Sequence, residues 1–151
     1  MEQAEKWLEL QKEAYAPLLE KYQDYETSPA TETLERVIER MRAPQRDHFF
    51  ITKDGEFVGG VRTARWAGIP RYHLGGIFIL PRFQGLGIGQ IAMRLVEALY
   101  PEANSWELDT ILQEKRNLYF YEKLGYRREG EENAINDKLT LVFYKKILKH
   151  Y

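Results

Sequence analysis

Glycines at alternate positions, Gly85, Gly87 and Gly89, stand between an apolar run ending in Ile77-Phe78-Ile79-Leu80 and a segment of helical periodicity that reaches Leu99. A strand, a turn beginning at Pro81 and a helix start leave a row of backbone N–H groups without intrachain acceptors, and glycine lets an anion approach them closely. A tight turn by itself does not require three, since each glycine placed in an element costs roughly 0.5–1 kcal/mol against alanine. The stretch reads as a phosphate cradle, and the fold has to deliver a strand into a helix around it.

The neighbouring segments supply that context. Residues 4–25 are rich in helix formers, with Pro17 predicting one bent helix or two short ones. Ser28-Pro29 signals a second helix start; Leu34, Val37, Ile38 and Met41 then repeat at helical spacing, and Pro44 ends the run. Residues 49–53 and 57–65 predict antiparallel strands around Asp54-Gly55, a type I′ hairpin pair. A turn at 66–71 leads into a third strand at 72–80. Beyond the glycines, Ile88, Ile91, Leu95, Val96 and Leu99 are expected to form the buried face of a helix ended by Pro101. Residues 106–110 predict a strand parallel to the one before that helix, because a strand reached through a helix normally runs that way. A helix at 114–124 is closed by Gly125. Strands at 126–129 and 139–147 follow, with the polar residues 130–137 between them expected as a mobile loop.

These elements make one mixed α/β domain over residues 1–151, with an antiparallel front half and a βαβ centre. A chain of that length buries a core without staples. It contains no cysteine, which excludes disulfides, zinc–thiolate sites and thiol nucleophiles. A formal net charge of -1 argues against general nucleic-acid binding. Glu2, Glu5 and Lys6 are unlike a signal peptide and no apolar run approaches membrane-spanning length, so a cytoplasmic protein without membrane contact is expected.

Which phosphate ligand the cradle takes depends on what surrounds it. Gly87 to Ala92 fits the dinucleotide pattern G-x-G-x-x-A, with Asp109 downstream, but residues 81–86 separate the first glycine from the strand, which a Rossmann unit does not allow. The lysine-bearing P-loop is absent. Gln84, Gly87 and Gly89 instead match Q/R-x-x-G-x-G/A, and Phe120-Tyr121-Glu122-Lys123-Leu124-Gly125-Tyr126 matches F-Y-x-x-x-G-F/Y. In this order and at this separation the two motifs resemble those of the GNAT superfamily of N-acetyltransferases, over roughly residues 45–147. The resemblance implies a mixed, mostly antiparallel sheet with a central βαβ unit and helices on both faces. It implies acetyl-coenzyme A as co-substrate, no metal, and an amine acceptor that is either a small molecule or a peptide or protein.

The same resemblance assigns residues. Gly85, Leu86, Gly87, Ile88, Gly89 and Gln90, with Gln84, would hold the pyrophosphate. Ile77, Phe78 and Ile79 would pair with pantetheine, and a backbone N–H near Ile79 would stabilise the oxyanion. Tyr121 stands where many members carry the acid that protonates the departing thiolate; the alternative is that it simply packs in the core. Asp109 and His73 occupy positions where some members place a general base; Asp109 also suits binding of the acceptor's positive charge or capping of a strand end, and His73 suits an ordinary half-buried histidine. Glu114 replaces an asparagine common in the family, and Asn117, one turn later, is a candidate substitute. Arg82, Lys115 and Arg116 are candidates for a 3′-phosphate or plain surface charges. A non-catalytic acyl-coenzyme A-binding domain is the competing class, and a nucleotide-binding module a third. The acceptor is unread, with Tyr22, Tyr25, Trp66 and residues 130–137 expected around it. Pairing of two copies through an edge strand is left open.

Overall fold

The computed structural model describes residues 2–148. Helix α1 (Glu2–Tyr22) is followed by a 3-10 turn (Pro29–Thr31), helix α2 (Leu34–Arg42), and strands β1 (Arg46–Lys53), β2 (Glu56–Arg65) and β3 (Arg71–Ile79). A second 3-10 turn (Pro81–Phe83) leads to helix α3 (Ile88–Ala98), strand β4 (Ser105–Ile111), helix α4 (Lys115–Lys123), and strands β5 (Arg127–Ala134) and β6 (Thr140–Ile147). They form a sheet of order β1-β2-β3-β4-β6-β5. Every neighbouring pair is antiparallel except β3 with β4, which the α3 crossover makes parallel. The mixed, mostly antiparallel sheet expected from the two motifs is the one observed.

Two apolar layers hold the helices to the sheet. Trp7, Leu10 and Ala14 of α1 and Val37 of α2 pack with Phe78 and Leu80. Here the Trp7 ring meets Phe78 edge-on at 5.3 Å and Phe50 at 5.6 Å. A Cβ at Gly60 would stand 2.7 Å from that tryptophan ring, so only glycine lets α1 lie this close to β2. The second layer joins Met93 and Val96 of α3 and Tyr121 and Leu124 of α4 to Leu74, Trp106, Leu108, Val142 and Tyr144. The hairpin at Asp54-Gly55 has both residues at positive φ, 52° and 80°, as a type I′ turn requires.

Pro17 lies inside a continuous α1, one helix rather than two short ones, with Ala14 before it and Tyr22 after it both buried. Packing on both sides holds the helix across the lost donor. Three other local expectations change. Ser28 caps only the short 3-10 turn, whereas α2 starts later, from Thr33, whose hydroxyl accepts the Arg36 N–H at 3.3 Å. The buried face of α3 is Ala92, Met93 and Val96; Ile91, Leu95 and Leu99 point outward at 59%, 64% and 59% exposure. The segment is apolar on two faces, and periodicity does not say which one the sheet takes. Finally, residues 130–134 belong to β5 rather than to a loop. That edge strand is exposed throughout and pairs with β6 across an irregularity between Glu129 and Asn133, so backbone bonding holds it without an apolar pattern to announce it.

Candidate active site

The parallel pairing of β3 and β4 stops early. Arg71, Tyr72 and His73 face Ser105, Trp106 and Glu107, and from Leu74 onward β3 has no partner on that side. The Leu80 N–H donates to the Val58 carbonyl of β2 at 2.8 Å. By the alternation of a strand, the N–H groups of Ile77 and Ile79 therefore face away from β2, into the gap. Their carbonyls are reached from that side as well: Tyr15 Oη donates to the Ile77 oxygen at 3.5 Å and Gln84 Nε2 to the Ile79 oxygen at 2.9 Å. Gln84 thus braces the turn into the glycines.

The gap opens onto the start of α3. Gly85 and Gly87 sit at φ 79° and 78°, a left-handed conformation that side chains resist. Gly87 caps α3 without a side-chain bond, and among the described residues the N–H groups from Gly85 to Gln90 have no backbone acceptor. Gly89 serves another purpose, because a Cβ there would stand 3.1 Å from the Phe120 ring. Donors, helix dipole and open space together suit a diphosphate.

Splay and cradle are parts of one cleft of about 870 Å³. Ile77, Phe78 and Ile79 line it from β3; Gln84, Gly85, Gly87, Ile88, Gly89 and Gln90 from the cradle; Asp109, Glu114, Asn117 and Tyr121 from β4 and α4. Leu86 is exposed and off the cleft wall. His73 is not on that wall either. It lines a neighbouring pocket of about 170 Å³, and Gly75 borders both cavities. Arg116 also lines the cleft, whereas Arg82 is paired with Glu13 at 2.7 Å. Trp66 lies under the Arg71 guanidinium at 4.7 Å, away from the cleft.

Tyr121 is buried, with its ring edge-on to Phe120 at 5.0 Å and to Tyr126 at 5.9 Å. Burial pushes its pKa up, and Tyr15 adds to the effect, so the hydroxyl keeps its proton. Tyr15, in α1, is a cleft residue that no motif marked; only its helical spacing from Trp7 and Gln11 gave it a direction. Its pKa is also raised by burial, against a lowering by Arg62. Asp109 is exposed at the cleft edge. Burial, with Arg62 and Arg46 acting the same way, holds the His73 pKa down against Asp109 and Glu107, which leaves the imidazole neutral at pH 7.

Glu114 acts as a tie. Lys21 Nζ meets its Oε2 at 2.6 Å and Tyr22 Oη donates to the same oxygen, which joins the end of α1 to the start of α4. Burial works to raise its pKa, but these hydrogen bonds outweigh it and the carboxyl is held low. Asn136 Nδ2 donates to the Tyr22 carbonyl at 3.1 Å, so the turn between β5 and β6 is fastened to the same corner.

Comparison with known proteins agrees with this geometry. The profile of the acetyltransferase (GNAT) family matches residues 4–126. The chain is 33% identical over 116 residues to the uncharacterised protein YrkN of Bacillus subtilis (strain 168), a match that spans 76% of this chain and 62% of that relative's length. The PaiA N-acetyltransferase of Thermoplasma acidophilum, solved in complex with coenzyme A, superposes with a TM-score of 0.70 at 15% identity, covering 97% of this chain and 94% of that one. An aminoglycoside 6′-N-acetyltransferase, also complexed with coenzyme A, gives 0.68 at 20% identity, with 93% and 89% covered. With the profile covering most of the chain, this protein belongs to the acetyltransferase (GNAT) family.

Proposed function

We propose that the protein transfers an acetyl group from acetyl-coenzyme A to a primary amine, with both substrates bound and the amine attacking the thioester directly. One observation carries this reading: the gap beside Ile77–Ile79 runs directly onto the N–H-lined start of α3. A pantetheine arm and a diphosphate need an unpaired strand edge and an anion cradle in that order. The Ile79 N–H, facing the gap, is suited to hold the oxyanion that develops as the carbonyl is attacked. Tyr121 keeps its proton at neutral pH and is the donor available to the departing thiolate.

An amine of the lysine type, with a reference pKa near 10.4, arrives charged and must lose a proton before attack. Asp109, exposed at the cleft edge, is assigned the ammonium. His73, neutral at pH 7 and next to the cleft, is assigned the proton through water. The absence of cysteine argues against a thiol acyl-enzyme. The acceptor is proposed to be a small-molecule amine, as it is for the aminoglycoside enzyme of the same fold.

The test pairs thermal stabilisation by coenzyme A with acetyl transfer across an amine library. Stabilisation with transfer supports the reading, and stabilisation without transfer to any amine supports a non-catalytic acyl-coenzyme A-binding domain instead. Stabilisation by NAD(H) but not coenzyme A would remove both.

A further inference from the structure

The pocket that holds His73 is a concentration of positive charge beside the cleft. Arg40 from α2, Arg46 and His48 from β1, and Arg62 from β2 line it together with His73 and Gly75. Three of the carboxylates around it are already engaged. Glu32 pairs with Arg40 and accepts from Gln11 Nε2 at 3.0 Å, Asp47 pairs with Arg65 at 2.8 Å, and Glu107 pairs with Arg71 at 2.9 Å. Arg62 is half-buried and, among the described residues, its guanidinium has neither a hydrogen bond nor an ion pair. A guanidinium taken partly out of water without a hydrogen-bonded counter-ion is costly, and burial together with Arg40 lowers its pKa, against a smaller raising effect of Tyr15 and Glu32.

The placement of Arg62 joins this pocket to the cleft. Its side chain lies along the glycine pair of β3: Nε is 3.5 Å from the position of a Cβ on either Gly75 or Gly76. Gly76 lines the cleft and Gly75 lines both cavities. The pair therefore gives the guanidinium room and places it at the boundary between them. The volume of about 170 Å³ is that of roughly five waters, enough for one small anionic group and its hydration.

We propose that this pocket receives the carboxylate or phosphate of an acceptor whose amine enters the cleft near Asp109, and that the acceptor is an anion-bearing amine rather than a polyamine. Arg62 is the principal ligand, since a guanidinium offers paired N–H donors matched to either group, and Arg46 at the exposed rim attracts the anion. Asp109 on β4 and Arg62 on β2 flank His73, which feels the charge of both. A zwitterion lying across β3 would satisfy the two charges at once. The inference rests on the acetyltransferase reading and narrows its substrate class.

The test uses matched amines that differ only in the anion: amino acids each against its decarboxylated amine, and O-phosphoethanolamine against ethanolamine. Two readouts are taken, kcat/KM for acetyl transfer and thermal stabilisation of the coenzyme A-loaded protein by the same compounds. The anion-bearing member is expected to lead by roughly tenfold or more in at least one series, the series identifying carboxylate or phosphate. Arg62→Gln should collapse that ratio, and Arg46→Glu, a rim change that leaves the core alone, should cut it several-fold. Coenzyme A stabilisation of each variant reports whether it still folds. Equal response to the two members of every pair, preference for the amines lacking an anion, or a ratio unchanged in both variants would overturn the proposal. Should no amine be acetylated while anion-bearing compounds alone stabilise the protein, the pocket assignment stands and the catalytic reading fails.

Discussion

The Phe120 ring rests on Gly89, so close that a single Cβ on the glycine would come within 3.1 Å of it. This contact joins the two sequence motifs: the glycine cradle opens α3, the aromatic motif runs along α4, and each requires the other's shape. The cradle's third glycine is needed as much for helix packing as for approach of an anion.

Gly89→Ala should therefore cost about 1–3 kcal/mol through overpacking, offset by the roughly 0.5–1 kcal/mol that alanine gains over glycine in a helix, for a net loss of about 1 kcal/mol. It should also weaken coenzyme A binding. Combining it with Phe120→Leu, which withdraws the ring, is expected to recover much of the lost stability. Thermal or urea denaturation of the single and double variants checks this, and additive losses would show that the two residues are not coupled.

Tyr121→Phe keeps the buried ring and removes only the hydroxyl. If that hydroxyl protonates the leaving thiolate, kcat should fall by about 10²–10⁴ while the Kd for coenzyme A stays close to its original value. Steady-state kinetics beside calorimetric binding separates the two quantities. Unchanged turnover would leave Tyr121 a packing residue, one of a group with Tyr126 and Tyr144.

His48 should make stability depend on pH. Burial, reinforced by Arg62 and Arg40, holds its pKa at about 4, against an ordinary value of 6.5. The unfolded chain binds the proton first as pH falls, so stability is complete above about pH 6.5 and declines toward pH 4. Melting temperature between pH 7 and 5 is expected to fall in the native protein and to fall less in His48→Gln. An NMR titration with a His48 midpoint near 6.5 would contradict the burial argument.

The orientation of α3 can be tested with substitutions of opposite expectation. Leu95 is exposed and Met93 fully buried. Leu95→Lys should alter stability by no more than about 0.5 kcal/mol, while Met93→Ala should cost about 2–5 kcal/mol. Denaturant unfolding measures both, and a large loss at Leu95 would mean that this ridge is covered in solution.

Local chemistry determined much of this protein. The hairpin at Asp54-Gly55, the strand-to-helix passage through the glycines and the stop at Gly125 were legible because each depends on backbone conformations that few residues adopt. The family was legible because two short motifs are held to a fixed order and spacing. Tertiary structure decided what periodicity and composition leave degenerate. An α3 with apolar residues on two faces is oriented only by the sheet it meets; a polar edge strand such as β5 forms only because β6 offers its backbone; Pro17 stays helical only because packing holds α1 on either side of it. The separation of His73 from the cleft, the tie of Glu114 to Lys21 and Tyr22, and the approach of Arg62 to Gly75 and Gly76 join residues distant in the chain. Side-chain charge and burial in those places are set by partners from other elements, and a linear pattern does not carry that information.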